Sequence, residues 1–391
     1  MAGIGTTMSW VFRVVDQGAS GAVRRFSGSM DKTTTAGAAA AASTAAFGSQ
    51  IRFLGMQSMF TAGALFGLGS VAVRSAANFG KFELALKSTQ LVTQSNADQM
   101  KRLRTNVEAL AGGTEFKPTE LMESVRLLGQ AGFSAHETQI ALEAMTTAAS
   151  AGMLELKDAT ELTINVMRGF NVPVEDIASS MDKLVRITQL TPLSMQEMGN
   201  ALGFASASAN AMDQSLESTI VTLGLLKPIT KTASKAGTAM RSALQAVFKP
   251  SGLKALTKMG ISVVDAFGGT RDLPFIVLDV IKQVDKLGAA EQKATLARMF
   301  GIRGMQVYAA VQQAQTKGTG EMAGMTLRGE AAVKQLFKQV KNADGTSAKF
   351  AETIRQTYIK SLEKAAATTE ELILAIGEGL VPAGTAMANA W

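Results

Sequence analysis

The sequence predicts a mainly α-helical protein, an array of amphipathic helices and helical hairpins with one short strand near the N-terminus. Three observations predict it. Alanine, leucine, methionine and amide residues are abundant, while there are only 7 prolines and 6% aromatic residues; the abundant types lose little rotamer freedom in a helix. From Phe79 onward, apolar residues recur at intervals of three and four, the period of a helix with one buried face. Serine followed three residues later by glutamate occurs twice before such a run, at Ser134/Glu137 and Ser194/Glu197, and this is the signature of a capping box. The 37 glycines run against helix formation. They must either end helices or let two backbones approach closely.

Taken in order, Trp10, Phe12 and Val14 alternate with Val11, Arg13 and Val15, which predicts the short strand. A short helix over 19–30 completes an N-terminal strand–helix unit, residues 1–32. Residues 33–77 form an uncharged, Ala/Gly-rich helical segment interrupted only by Arg52 and Arg74. Its second half, 53–73, is long enough to cross a bilayer, which takes about 20 predominantly apolar residues. Gly63 and Gly67 stand there at the small-residue spacing that lets helices or membrane spans pack closely. Three readings stay open: a glycine-rich helix buried among copies of itself in a soluble assembly, conditional insertion into a membrane, and a permanent membrane anchor.

Residues 78–316 read as a helical core. Phe79, Phe82 and Leu86 share a face. Leu103, Val107 and Leu110 continue the spacing until Gly112-Gly113. Pro118 opens the next helix, Gly132 ends it, and Ser134 with Glu137 starts another that stops near Gly152. Residues 154–168 form a helix closed by Gly169, Pro173 opens one through Leu190, and Ser194 with Glu197 caps the next. Residues 119–168 and 194–244 form a weak internal repeat of three helices, the second copy carrying linkers at Leu226-Lys227-Pro228 and Ala236-Gly237. Asp265–Gly269 reads as a tight turn. A helix opens at Pro274, and another ends at Met299-Phe300-Gly301. Residues 317–330 form a glycine-rich linker, and 331–391 a C-terminal helical segment.

The chemistry on offer is sparse. Cysteine is absent and the only histidine is His136, so disulfides, thiolate metal sites and cysteine nucleophiles are excluded. His136, two residues past a capping serine, reads as an exposed helix-start residue. Ser251/Lys254 and Ser361/Lys364 match S-x-x-K without the companion K-T-G, and the pairs Glu115/Glu120 and Glu370/Glu371 sit where negative charge favours a helix start. The methionines at 100, 122, 145, 167, 181, 195 and 198 fall on apolar faces and read as core filling. The expectation is a protein that is not an enzyme, with no catalytic residues, cofactor or metal. The net charge of +7 suits a nucleic acid, an anionic membrane, an acidic protein, or simply a solvated lysine-rich surface. No basic run interleaved with aromatics supports sequence-specific nucleic-acid recognition.

The order of features resembles the core region of phage tail tape measure proteins. The residues that carry the resemblance are Phe82–Leu110, Gly113-Thr114-Glu115-Phe116 and Leu128-Gly129-Gln130-Ala131-Gly132-Phe133-Ser134, followed by 148–159, Met167-Arg168-Gly169-Phe170, 188–198, Met259-Gly260-Ile261 and Met299-Phe300-Gly301. They cover roughly 79–311. The resemblance implies a virion structural protein that fills the tail tube and sets its length. It also implies that the protein leaves ahead of the genome, with hydrophobic segments aiding DNA passage through the host membrane. The partners implied are the tail tube protein, tail assembly chaperones and tail-tip or baseplate proteins. Further expectations are a homo-oligomer, a location in the tail interior after assembly in the host cytoplasm, and contact with the host membrane. The alternative is a membrane-active pore or translocation protein built on residues 53–73.

Overall fold

A computed structural model describes residues 80–93, 95–317, 330–357, 363–371 and 373–374. The expected strand at 10–15, the uncharged segment with Gly63 and Gly67, and the glycine-rich stretch 318–329 lie outside the described residues. Among the described residues the regular structure is helical, apart from one isolated antiparallel bridge between Val264 and Thr270. The mainly α expectation holds.

The helices are α1 (Ala97–Gly113), α2 (Pro118–Gln130), α3 (Ala135–Gly152), α4 (Leu156–Gly169), α5 (Ile177–Leu190), α6 (Met195–Ala211), α7 (Leu216–Thr230) and α8 (Ala233–Phe248). They continue as α9 (Pro250–Lys258), α10 (Leu273–Val284), α11 (Ala289–Lys317), α12 (Glu330–Lys341) and α13 (Thr346–Arg355). Helical stretches also cover 80–93 and 363–371.

The chain divides into two compact units. The smaller joins the described residues up to Leu91 with 104–122 and those after Leu362. In it, Phe82 is buried beneath the Arg104 guanidinium, 5.8 Å from the ring centre, and Thr119 donates a hydrogen bond to Glu370. The Glu371 carboxyl is pushed up by burial and then by the charge of Glu108.

The larger unit, 92–103 and 123–361, is a helical cluster arranged around α7. That helix touches α5, α6, α8, α10, α11 and α12. Its sequence dictates the position: from Ser218 to Leu226 every side chain is buried, with no polar stripe, and a helix apolar all round must be enclosed. Ile220, Val221, Leu223 and Leu226 are fully buried, each contributing about 1.5–3 kcal/mol relative to exposure. The buried threonines return their hydroxyls to the backbone: Thr222 donates to the Ser218 carbonyl at 2.6 Å, and Thr230 to that of Leu226 at 3.1 Å.

Helix α8 is clasped between α6 and α11 through glycine-mediated approaches. A Cβ at Gly237 of α8 would strike the backbone carbonyl of Ala201, and one at Gly304 of α11 would lie 2.8 Å from the Cα of Ala243. Gly237 is therefore a contact inside a helix, not the linker that the sequence suggests. Pro228 likewise lies inside α7. The helix runs only two residues beyond it, and the Lys231 N–H closes it on the Lys227 carbonyl at 2.9 Å.

Both expected capping boxes are formed. The Glu137 N–H bonds the Ser134 hydroxyl at 3.3 Å while the Ser134 N–H bonds the Glu137 carboxylate at 2.8 Å; Ser194 and Glu197 repeat the arrangement at 3.2 Å each way. The expected stop at Gly301 is a kink, with φ 65° and ψ 170°, after which a second helical half carries α11 on to Lys317. Helices α12 and α13, set apart in the sequence by the glycine-rich stretch, belong to the larger unit and pack on α5.

Candidate functional site

The segment Leu128–Ser134 builds a corner between α2 and α3. Gly132 adopts φ 87°, a left-handed conformation that costs glycine little. That lets the Phe133 N–H reach back to the Leu128 carbonyl at 3.2 Å and close the end of α2. Phe133 is buried, and the Arg168 guanidinium from the last turn of α4 stacks over it, 5.3 Å from the ring centre. The same guanidinium donates to the Ala131 carbonyl. Hydrogen bonds from the Ser134 backbone and then its hydroxyl hold the Glu137 carboxyl below the usual range. The corner is a structural clamp, in which each polar group completes a helix end.

Beside it, α4 crosses α6, where a Cβ at Gly169 would lie 2.8 Å from that of Ser206. The crossing leaves an open polar groove of about 440 Å³ whose lining includes Asn165, Arg168, Ser206 and Asn210. It offers amide and guanidinium donors but no carboxylate, so Ser206 has no base within the groove to activate it.

A second depression of about 430 Å³ includes Arg271, Asp272, Asp279, Glu330 and Lys334. Two of its carboxylates, Asp279 and Glu330, are committed to cations. Arg271 meets Asp279 at 2.7 Å, Lys282 meets Asp279 at 3.4 Å and Glu330 at 2.8 Å, and Lys334 meets Glu330 at 2.6 Å. Hydrogen bonds from Lys282 and Lys334 lower the Glu330 carboxyl to about 2. A carboxyl so acidic holds no proton to give at neutral pH, so this chain of ion pairs ties α10 to α12. Nearby, burial pushes the Asp272 carboxyl up, opposed by its bond from the Ser215 hydroxyl at 2.9 Å.

His136 is exposed at the start of α3, and the seven methionines singled out in the sequence are all buried. Gly63 and Gly67 lie outside the described residues. Among the described residues, no group of three or more His, Cys, Asp or Glu side chains is placed to hold a metal ion, and no helix is long and apolar enough to cross a membrane. The segment 53–73 falls outside that statement. Sequence reasoning missed the Arg168 clamp and the polar groove; a cation in the last turn of α4 was visible, but its target 37 residues away was not.

Comparison with known proteins gives the arrangement a context. The model of the phage-related minor tail protein family matches residues 104–301, just over half of the chain and including α2 to α10. The chain belongs to that family. It is similar to the "Tape measure protein" of Pneumococcus phage Dp-1, with 22% identity over 308 residues, covering 78% of this chain and 25% of the relative. It is also similar to the "Probable tape measure protein" of Escherichia phage P2, with 24% identity over 246 residues, covering 61% of this chain and 30% of the relative. No solved structure matches. The chain thus spans between a quarter and a third of the length of these relatives. It is a member of a minor tail protein family, and the family model's match over 104–301 lies within the 79–311 region that carries the resemblance.

Proposed function

We propose that this tail protein acts as a tape measure: it occupies the tail tube during assembly, its length sets the length of the tube, and it leaves ahead of the genome and aids DNA passage through the host membrane. The observation that carries the reading is the similarity to two tape measure relatives from different phages over most of the chain. The fold adds a refinement. The helices of the larger unit double back on one another around α7 instead of running end to end, so these residues serve as a folded head and the ruler is drawn from other parts of the protein. The tail tube protein, assembly chaperones and tip or baseplate proteins are its partners in this reading, and the protein works as a homo-oligomer. The membrane-active alternative rests on 53–73 alone.

Mass spectrometry of purified particles, combined with tail-length measurement by electron microscopy, tests the reading. The chain should be present in intact tails. In-frame lengthening of helical sequence outside the larger unit should extend the tail by about 1.5 Å per added residue. Absence from tails, or tails of unchanged length, overturns it.

A further inference from the structure

The positive charge of this chain is concentrated in two stretches. From Ser218 to Val264 and from Gln292 to Lys317 there is no aspartate or glutamate, yet these stretches hold eleven of the 39 lysines and arginines. The remaining sequence, with all 32 acidic residues, is net negative. The two stretches fold together: α8, α9 and α11 pack on one another. Gly304 brings α11 against Ala243 of α8, and Gly252 lies so close to the Ala246 and Val247 carbonyls that α9 turns back sharply from the end of α8. Lys235, Lys254, Lys258, Arg298 and Arg303 are exposed on these helices.

On other helices some cations are matched locally, as in Glu83–Lys87, Arg104–Glu108 and Glu330–Lys334. Lys235 and Arg241 of α8, Lys254 and Lys258 of α9, and Lys293, Arg298 and Arg303 of α11 have no salt-bridge partner among the described residues. Lys254 and Lys258 stand one turn apart on α9, a like-charge spacing that weakens a helix slightly. The surface carries little else. Ile302 is the large apolar side chain exposed on these three helices among the described residues, and no aromatic is exposed there.

We propose that the combined outer surface of α8, α9 and α11 binds the phosphate backbone of double-stranded nucleic acid without reading its sequence. A protein partner needs an apolar interface centre depleted in lysine, and a single strand needs aromatic platforms for its bases. Neither is present. Dense phosphate charge needs only unpaired cations, whose binding releases counterions. This goes beyond the tape measure reading and holds or fails independently of it.

The test is fluorescence anisotropy of the full chain with a labelled duplex of random sequence, with polyglutamate and a single strand as competitors. Affinity should fall linearly with salt on logarithmic axes, and the triple variant K254A/K258A/R303A should reduce that slope by about 3. The control K157A/K338A, on α4 and α12, should leave the slope unchanged, and circular dichroism should show both variants as helical as the parent. A slope unaltered in the folded triple variant overturns the proposal. So does polyglutamate or single strand outcompeting the duplex.

Discussion

Asp182, in the second turn of α5, caps a helix whose N-cap residue lies 163 residues later, accepting the Gly345 N–H at 2.6 Å and, from the same carboxylate, the Ser347 N–H at 2.8 Å. Helix α13 has no side-chain cap of its own, because Gly345 occupies the N-cap position. Ser179, one turn before Asp182, adds a bond to Asp344 at 3.0 Å. A buried carboxylate from a neighbouring helix therefore does what a local serine does for α3 and α6.

Removing that carboxylate with Asp182→Ala leaves the buried Ser347 N–H and the part-buried Gly345 N–H without their acceptor and should cost about 2 kcal/mol. Hydrogen exchange across 345–355 should then quicken roughly thirtyfold, at about tenfold per 1.4 kcal/mol. Exchange as slow as in the parent would show that the contact contributes nothing to holding α13.

The contrast between the two kinds of cap shows what the sequence makes legible. Ser134/Glu137 and Ser194/Glu197 are three residues apart, so their boxes are visible by eye, as are the helix ends at Gly132, Gly152 and Gly169. Asp182 gives no such sign, because its targets are distant backbone groups of unremarkable residues. Pro228 and Gly237 mislead for a related reason. Local propensity marks both as breaks, whereas the packing of α7 and α8 overrides it. Of the candidate site, the corner residues were visible and the Arg168 clamp across them was not.

Two glycine substitutions should separate contact from propensity. Gly237→Ala drives a methyl into the Ala201 carbonyl and should destabilise the larger unit by about 1–3 kcal/mol. Gly203→Ala on α6 meets nothing within 4 Å, and should stabilise it by about 0.5–1 kcal/mol through helix propensity alone. Urea unfolding of the two variants should give shifts of opposite sign.

The ion pairs around Glu330 make a pH-dependent contribution. Its carboxyl is lowered from 4.5 to about 2 by hydrogen bonds from Lys282, then Lys334. A depressed carboxyl stabilises the fold above its unfolded value, and that contribution is lost as pH falls from about 4.5 towards 2. Unfolding curves taken through that window should steepen their pH dependence relative to Glu330→Gln, which lacks the titrating group. Parallel curves would show that the pairs do not hold α10 to α12.

The enclosure of α7 also has a consequence for synthesis. Of the six helices around it, α5 and α6 precede it in the chain, while α8, α10, α11 and α12 follow it. A ribosome therefore releases a largely apolar helix well before most of its wrapping exists, and the last piece ends only at Lys341. Until then the nascent chain carries a sticky, half-covered rod, the state in which multi-helix proteins aggregate. The larger unit closes only after Lys341 has emerged, so the partly wrapped α7 must be shielded over more than a hundred further residues of synthesis.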